Sequence, residues 1–351
     1  MRRARAPARE VRIHGIAPRS TDGKSLVYRP TTTQAQRSIG SAVGPVVARH
    51  GRTSAATPCL AVAAGSKIRR MATVDGRVAL VTGAASGIGM ATSIGLVRQG
   101  VVVVLLVRSA GRGEAAMRDI RTTVPEANLE VLECDLASQS SIREAAERFL
   151  AHHDRLDILV NAAGVFVKEK TLTADGIELT FATNYLAYFL LTHELLGVLE
   201  RSAPARVVNL ASKYGRAKID FGDLQKLGTP YSYLKSTPAT MLARVLFTQE
   251  LAHRVEGSGV VVNAVHPGLV AHTGLLQDTR GPFKWFTDTF GSTPEKGADT
   301  VLWLATAPET AAISGKLFAK RKEVGTPGQG SDPAARARLW EESEKLTHLA
   351  R

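Results

Sequence analysis

The sequence predicts an α/β fold, a single domain built on a doubly wound parallel sheet with helices on both faces. Three observations carry that prediction. From residue 77 onward, short β-branched runs alternate with longer amphipathic stretches. The run VVVVLLV at 101–107 contains no polar residue, as a strand covered on both faces requires. A glycine-rich turn, TGAASGIG at 82–89, joins the first such run to the first amphipathic stretch.

Taken in order, RVALVT predicts a buried strand, and GIGMATSIGLVRQG a helix ended by Gly100. VVVVLLV is the second strand, EAAMRDIRTT a helix, LEVLEC a strand and SIREAAERFLAHH a helix. DILVNAAG gives a fourth strand with its turn, and TFATNYLAYFLLTHELLGVLE a long helix. ARVVNLAS is a fifth strand, followed by a helix through ARVLFTQELAHRV and the strand VVVNAVHPG. PEKGADTVLWLATAP reads as a helix, SGKLFA as a short strand and residues 332–347 as a last helix, with Trp340 as its packing anchor. No second domain or internal repeat is visible.

Charge is distributed unevenly. The chain holds 45 Lys and Arg against 32 Asp and Glu, a net of +13. Residues 1–70 hold 14 of the basic residues against only Glu10 and Asp22, leaving 31 basic and 30 acidic in the rest. A nearly neutral body, with no aromatic residues interleaved in a basic stripe, argues against nucleic acid as a partner. Residues 1–70, rich in Arg, Ala, Ser, Thr and Pro and without sustained periodicity, read as a disordered basic extension. Its Arg-rich, acid-poor composition suits an organellar transit peptide, a plain tail, or an upstream stretch before a start at Met71. The domain proper then covers 71–351. Cys59 and Cys134 allow no disulfide framework or cysteine-based metal site, and no metal is expected. No apolar run is long enough to span a bilayer, so a cytoplasmic location is expected, or an organellar one if the extension is a targeting segment.

The turn carries the first chemistry. Gly83, Gly87 and Gly89 permit a tight strand-to-helix bend in which the backbone approaches a diphosphate and the following helix presents free N–H groups. The second strand ends LLVRSAGR, with Arg108 where a carboxylate would bind an adenosine ribose. A guanidinium there suits a 2'-phosphate, which favours NADP over NAD, unless Arg108 is only a solvated charge. Asp135 either caps the next helix or borders the adenine pocket.

With these stretches in hand, the chain resembles the short-chain dehydrogenase/reductase family, in its retinol-dehydrogenase-like branch. Besides TGAASGIG, the resemblance rests on CDL at 134–136, NAAG at 161–164, Asn184 in TFATNYLAYFLL and VVNLAS ending at Ser212. It continues in VLFTQELA at 245–252, HPG at 266–268 and LWEESEKL at 339–346. It implies a Rossmann-like three-layer sandwich that transfers a hydride between NAD(P) and an alcohol or carbonyl compound. Cofactor contacts are implied at Gly83, Ser86, Gly87, Ile88, Gly89, Arg108, Asp135, Leu136, Asn161, Ala162, Gly164, Pro267 and Gly268. Ala162 replaces the second Asn of the family's NNAG turn. Asn184 resembles the helix asparagine that holds a water near a catalytic lysine, and Ser212 the serine that positions the substrate oxygen. Family members often pair through long helices, so a homodimer is an expectation.

The family's acid is out of place. Counting forward from Ser212 and back from His266 with the branch's spacing reaches one position, Thr237, and the lysine's place four residues on holds Met241. A threonine hydroxyl titrates far above a phenol, so it is a poor proton donor or acceptor near neutrality. Tyr231 and Lys235 keep the right mutual spacing six residues upstream. Six residues along a helix advance about 9 Å and turn the side chain by about 240°. Pro238 also resists a backward extension, so a helix starting at Ser236-Thr237-Pro238 is predicted, with Tyr231 and Lys235 in the loop before it. Either that loop curls back and the pair serves catalysis, or the site has lost its acid. Tyr214 and His272 are further candidates, and Thr273 stands one place beyond the family's nicotinamide-contacting threonine.

Residues 269–292 are expected to form a flap over the substrate pocket. Gly274 is a flexible point, and Leu275, Leu276, Phe283, Trp285, Phe286 and Phe290 favour a small apolar substrate. Two functions stand: an NADP-preferring oxidoreductase acting on an apolar alcohol or carbonyl, or a dinucleotide-binding protein with little catalysis, kept for interaction or sensing.

Overall fold

Every central strand divides its residues between two cores, because successive side chains point to opposite faces of a sheet. In the computed structural model, which describes residues 26–27, 76–213, 217–225, 227–228, 231–271, 289, 291–326 and 328–349, β2 (Val78–Thr82) sends Val78 and Leu80 to one core and Ala79 and Val81 to the other. β3 (Val102–Val107) divides likewise, Val102, Val104 and Leu106 against Val103, Leu105 and Val107.

The strands continue with β4 (Leu129–Glu133), β5 (Ile158–Asn161), β7 (Ala205–Leu210), β8 (Val260–Val265), β9 (Leu317–Ala319) and β10 (Lys322–Val324). They form one sheet in the order β10-β9-β8-β7-β5-β2-β3-β4. All neighbours in it are parallel except β9 and β10. The predicted doubly wound α/β architecture is present, and each of the seven predicted strands forms. β10 and two minor strands were not anticipated. Of the latter, β1 (Leu26–Val27) pairs in parallel with β6 (Thr171–Leu172), so the basic extension contributes a strand where only disorder was expected.

One face is covered by α1 (Gly87–Val97), α2 (Ala110–Thr123) and α7 (Pro294–Thr306). The other is covered by α3 (Gln139–His152), α5 (Ala187–Arg201), α6 (Tyr233–Arg254) and α8 (Pro333–Leu346). α1 stops short of the predicted end, and Gly100 instead takes a positive φ of 78° in the turn that follows. Trp340 of α8 stacks on Phe247 and meets Phe189 edge-on, which makes it the anchor the sequence suggested. The predicted long helix is interrupted. α4 (Leu179–Phe181) widens into a π turn at Ala182–Leu186 before α5. Such turns often occur at functional sites.

α6 corrects the sequence reading. It begins at Tyr233, not at Ser236-Thr237-Pro238, with Ser232 as N-cap and Pro238 inside the helix. The proline removes one amide and crowds the Leu234 carbonyl. That turn lies at the surface, with the Leu234 side chain 69% exposed, so water can take the orphaned carbonyl. No helix among the described residues is long and apolar enough to cross a membrane.

Candidate functional site

β2 lies between β3 and β5, the place where the strand order reverses. In sheets of this kind the crevice at the strands' C-terminal ends opens there. Its walls are the turns after β2 and β5, and they touch. A Cβ on Gly83, whose φ is 66°, would lie 3.0 Å from the Ala163 Cα. A Cβ on Gly89 would lie 2.4 Å from the Gly83 carbonyl oxygen. Thr82 at the end of β2 fastens the two turns, its Oγ1 accepting from the amides of Ala162 (2.9 Å) and Ala163 (3.0 Å). Gly87 also has a positive φ, 53°. Ser86 is the N-cap of α1 but makes no side-chain bond to the helix. The amides of Gly87, Ile88 and Gly89 precede the bond from Met90 N to Ser86 O, so the positive end of α1 is left to a ligand. The turn thus fits a dinucleotide diphosphate. The Ile88 side chain is buried in the core beside Val270 and Gly297, so only its backbone can serve a ligand.

Arg108 stands exposed just beyond β3. Nearby, Glu133 at the end of β4 accepts from the Ala110 amide at 2.9 Å and so caps the start of α2, a carboxylate that sequence reasoning missed. Asp135 does not cap α3, whose N-cap is Ser138 accepting from Ser141 N. Its Oδ1 accepts from Ala137 N at 3.0 Å in the turn before the helix, and Leu136 packs against the core. Asn161 departs from expectation. Its side chain is fully buried and donates to Thr192 Oγ1 and Asn209 Oδ1, which joins β5 to β7 and α5 instead of lining the crevice. Ala162 and Gly164 lie half-buried in the turn after β5. Pro267 and Gly268 follow β8, Gly268 exposed with φ 79°.

The far side of the crevice is built from three backbone segments and α6. Asn184, in the π turn, accepts from Val165 N (2.7 Å) and donates to Val165 O (2.9 Å), clamping the chain beyond the β5 turn. Ser212 sits half-buried two residues beyond β7. Thr237 and Met241 occupy one face of α6, both buried. The Thr237 Oγ1 has no hydrogen-bond partner. One turn further along, Arg244 donates to the carbonyls of Asn184, Leu210 and Ala163 and to Met241 Sδ. Its guanidinium lies 4.1 Å over the Tyr188 ring, and the Tyr188 hydroxyl donates to the same Ala163 carbonyl. Burial pulls the Arg244 guanidinium below its ordinary value and pushes the Tyr188 phenol up to about 12. The sequence reading missed Arg244, although a lone charge inside the apolar stretch MLARVLF is a visible signal.

Tyr231 is engaged elsewhere. Its hydroxyl donates to Glu178 Oε1 at 3.0 Å and meets Thr180 Oγ1 at 3.2 Å. The fully buried Glu178 carboxylate also caps α4 by accepting from the amides of Thr180 and Phe181. Burial raises the Tyr231 phenol, and the neighbouring carboxylate adds to the rise, the wrong direction for a proton carrier at neutral pH. Lys235 is exposed on the first turn of α6, not in the preceding loop. The phenol is thus held by Glu178 and Thr180 while Lys235 faces solvent, so the two do not act as an acid with its lysine.

His266 at the end of β8 has a buried Nδ1 without a partner, and burial lowers its pKa, with Lys213 adding to the fall. The two ends of the predicted flap meet, Ala271 N on Ser292 O and Ser292 N on Leu269 O. Tyr214, His272, Thr273, Gly274 and the flap's apolar residues lie outside the described residues. No cluster of metal-ligating side chains occurs among the described residues, and burial pushes the free Cys134 thiol up to about 12.

Comparison with known proteins matches residues 77–282 to the short chain dehydrogenase family. The chain is 39% identical over 289 residues to retinol dehydrogenase 13 of Homo sapiens, covering 79% of this chain and 86% of the relative. It is 38% identical over 297 residues to retinol dehydrogenase 14 of Mus musculus, covering 79% and 87%. Among solved structures, an uncharacterised protein from Mycobacterium paratuberculosis superposes with a TM-score of 0.64 at 31% identity, covering 78% of this chain and 94% of that one. A short chain dehydrogenase from Burkholderia cenocepacia in complex with NADP superposes with a TM-score of 0.54 at 25% identity, covering 69% and 95%.

Proposed function

Because the chain belongs to the short chain dehydrogenase family and is by class an NAD(P)-dependent oxidoreductase, we propose that it prefers NADP and acts on a small apolar alcohol or carbonyl compound. The observation that carries this reading is the uncapped α1 terminus behind the glycine turn, with the exposed Arg108 at the next strand end. A 2'-phosphate beside Arg108 forms a charge-assisted bond that a bare ribose does not. Relatives named retinol dehydrogenases support a lipophilic alcohol as substrate, as does the apolar composition of 269–292.

A bound nicotinamide supplies or accepts the hydride. This chain's residues bind and orient. The α1 amides receive the diphosphate, Thr82 and Asn184 hold the turn after β5 in place, and Ser212 orients the substrate oxygen. No phenol reaches that oxygen from Tyr231, since Glu178 and Thr180 hold its hydroxyl. Proton exchange then passes through water, at a cost of about 10²- to 10⁴-fold in rate relative to a positioned acid. The same Tyr231 contact favours a second reading, a dinucleotide-binding protein with little catalysis, retained for interaction or sensing.

The deciding experiment measures binding of NADPH and NADH and turnover of a panel of apolar aldehydes by wild type and Ser212→Ala. Tight NADPH binding with slow, Ser212-dependent turnover supports the enzyme. Tight binding with no turnover across the panel favours the second reading, and no affinity for either dinucleotide refutes both. Sedimentation of the same protein tests the expected homodimer.

A further inference from the structure

Arg244 is 3% exposed, in a stretch of α6 otherwise made of Met241, Leu242, Ala243, Val245, Leu246 and Phe247. Its donors reach three carbonyls, one on each segment that frames the crevice: Ala163 in the turn after β5, Asn184 in the π turn and Leu210 at the end of β7. Those segments carry Gly164, Asn184 and Ser212. Each guanidinium nitrogen thus has an acceptor, but among the described residues no carboxylate contacts it to balance its charge. A buried cation in that state is costly unless something else compensates it. Carbonyl dipoles and the Tyr188 ring offset part of the cost. What remains is a positive field at the junction of the three segments.

The same face of α6 is otherwise bare of charge. Thr237, Met241 and Arg244 recur at helical spacing, and Arg244 Nη1 lies 3.5 Å from Met241 Sδ. The Thr237 hydroxyl beside them is buried and unpartnered, while Lys235, the nearest lysine on the helix, is exposed. A guanidinium stays charged at any working pH, so this field is permanent.

We propose that Arg244 is a positioning residue and a fixed positive charge of this site, holding the three segments through their carbonyls and favouring the anions beside them, a dinucleotide phosphate at the glycine turn that abuts Ala163 and the deprotonated oxygen of a substrate at Ser212. This rests on the dinucleotide reading above. A mere structural tie and a charge role differ in one respect. A charge can be moved a turn along the helix, from 244 to 241, and still act; a fork on three carbonyls cannot.

The test is NADPH affinity by fluorescence, with thermal melting alongside, for the full chain as wild type, Arg244→Lys, Arg244→Asn and the double variant Met241→Lys/Arg244→Asn. Arg244→Asn is expected to weaken NADPH binding about tenfold, as loss of one charge near an anion in a partly screened site does. Arg244→Lys and the double variant are expected to return to within about threefold of wild type. The proposal is overturned if Arg244→Asn binds as wild type does, or if the relocated charge leaves binding as weak as in Arg244→Asn. Should Arg244→Asn fail to fold, the other two variants decide: wild-type-like affinity supports the proposal, and a tenfold loss in both overturns it. Failure of all three to fold makes Arg244 a scaffold residue only and also overturns it. A wild-type chain that binds neither dinucleotide sinks the earlier reading instead.

Discussion

Tyr231→Phe separates the two roles open to a phenol that the sequence sets four residues before Lys235. Glu178 Oε1 accepts from Thr180 N at 2.9 Å and from the Tyr231 hydroxyl at 3.0 Å, while Oε2 accepts from Phe181 N at 2.8 Å and Ser236 Oγ at 3.4 Å. Removing the phenol oxygen leaves Oε1 with one donor on a fully buried carboxylate. A hydrogen bond to a charged group contributes about 1.5–3 kcal/mol. Tyr231 is only half-buried, so water replaces part of that bond and the lower end, about 1.5 kcal/mol, is expected. For a domain of this size that lowers Tm by about 3–6 °C. Any aldehyde reduction by the wild type should persist in the variant within about twofold, because the hydroxyl contributes to folding and not to proton exchange. The assay pairs a melting curve with NADPH oxidation at saturating aldehyde. A fall in turnover of about 100-fold or more with an unchanged Tm would refute the reasoning and make Tyr231 the acid.

The remaining expectations concern the rest of the crevice and its supports. Gly89→Ala places a Cβ 2.4 Å from the Gly83 carbonyl oxygen, so the turn must shift, and titration should show NADPH affinity reduced about tenfold or more. Arg108→Ala should lose about tenfold in NADPH affinity and leave NADH unchanged, read from competing titrations; an equal loss for both would assign Arg108 to solvent. Met241→Lys alone brings an ammonium against the Arg244 guanidinium and should lower Tm, whereas the same change together with Arg244→Asn should not. Stability should also fall at alkaline pH. Burial raises the Cys134 thiol and the Tyr188 phenol to about 12 in the folded chain, from the ordinary 9.0 and 10.0. Their neutral forms therefore favour folding below pH 9, and that advantage is lost as pH climbs through 9–12, which denaturant titrations at stepped pH would detect.

The sheet was legible in the sequence because its signal is local. A strand buried on both faces must be apolar throughout, and VVVLLV cannot be much else. β9 was readable from SGKLFA, but β10, three residues with two exposed, has no periodicity to reveal it. The start of α6 differs from the one proline propensity predicts, because an exposed turn relaxes that boundary. Pro238 costs the helix one bond, yet the Ser236 amide already bonds the Ser232 carbonyl at 2.9 Å and the following turns bury Thr240, Met241 and Arg244. Tertiary burial outweighs a single unfavourable residue.

Within the site, legibility followed the same division. The dinucleotide half is carried by glycines whose spacing is fixed by backbone approach, and the approach of Gly83 to Ala163 is a contact such spacing encodes. The proton-transfer half depends on which side chain meets which atom across three segments, and spacing alone misleads there. Tyr231 and Lys235 keep the interval of a working pair, but the first turn of α6 points Lys235 to solvent while Glu178, more than fifty residues earlier, captures the phenol. Arg244 carried no motif, yet it contacts all three segments. Met241 and Arg244 are best considered together. An apolar side chain at 241 leaves room for a guanidinium at 244 to lie alongside its sulfur, and a lysine in that place would face like charge at close range in a dry environment. The two residues are therefore coupled. Changing either one alone disturbs a charge balance that changing both preserves, and that non-additivity is measurable as a double-mutant cycle in Tm.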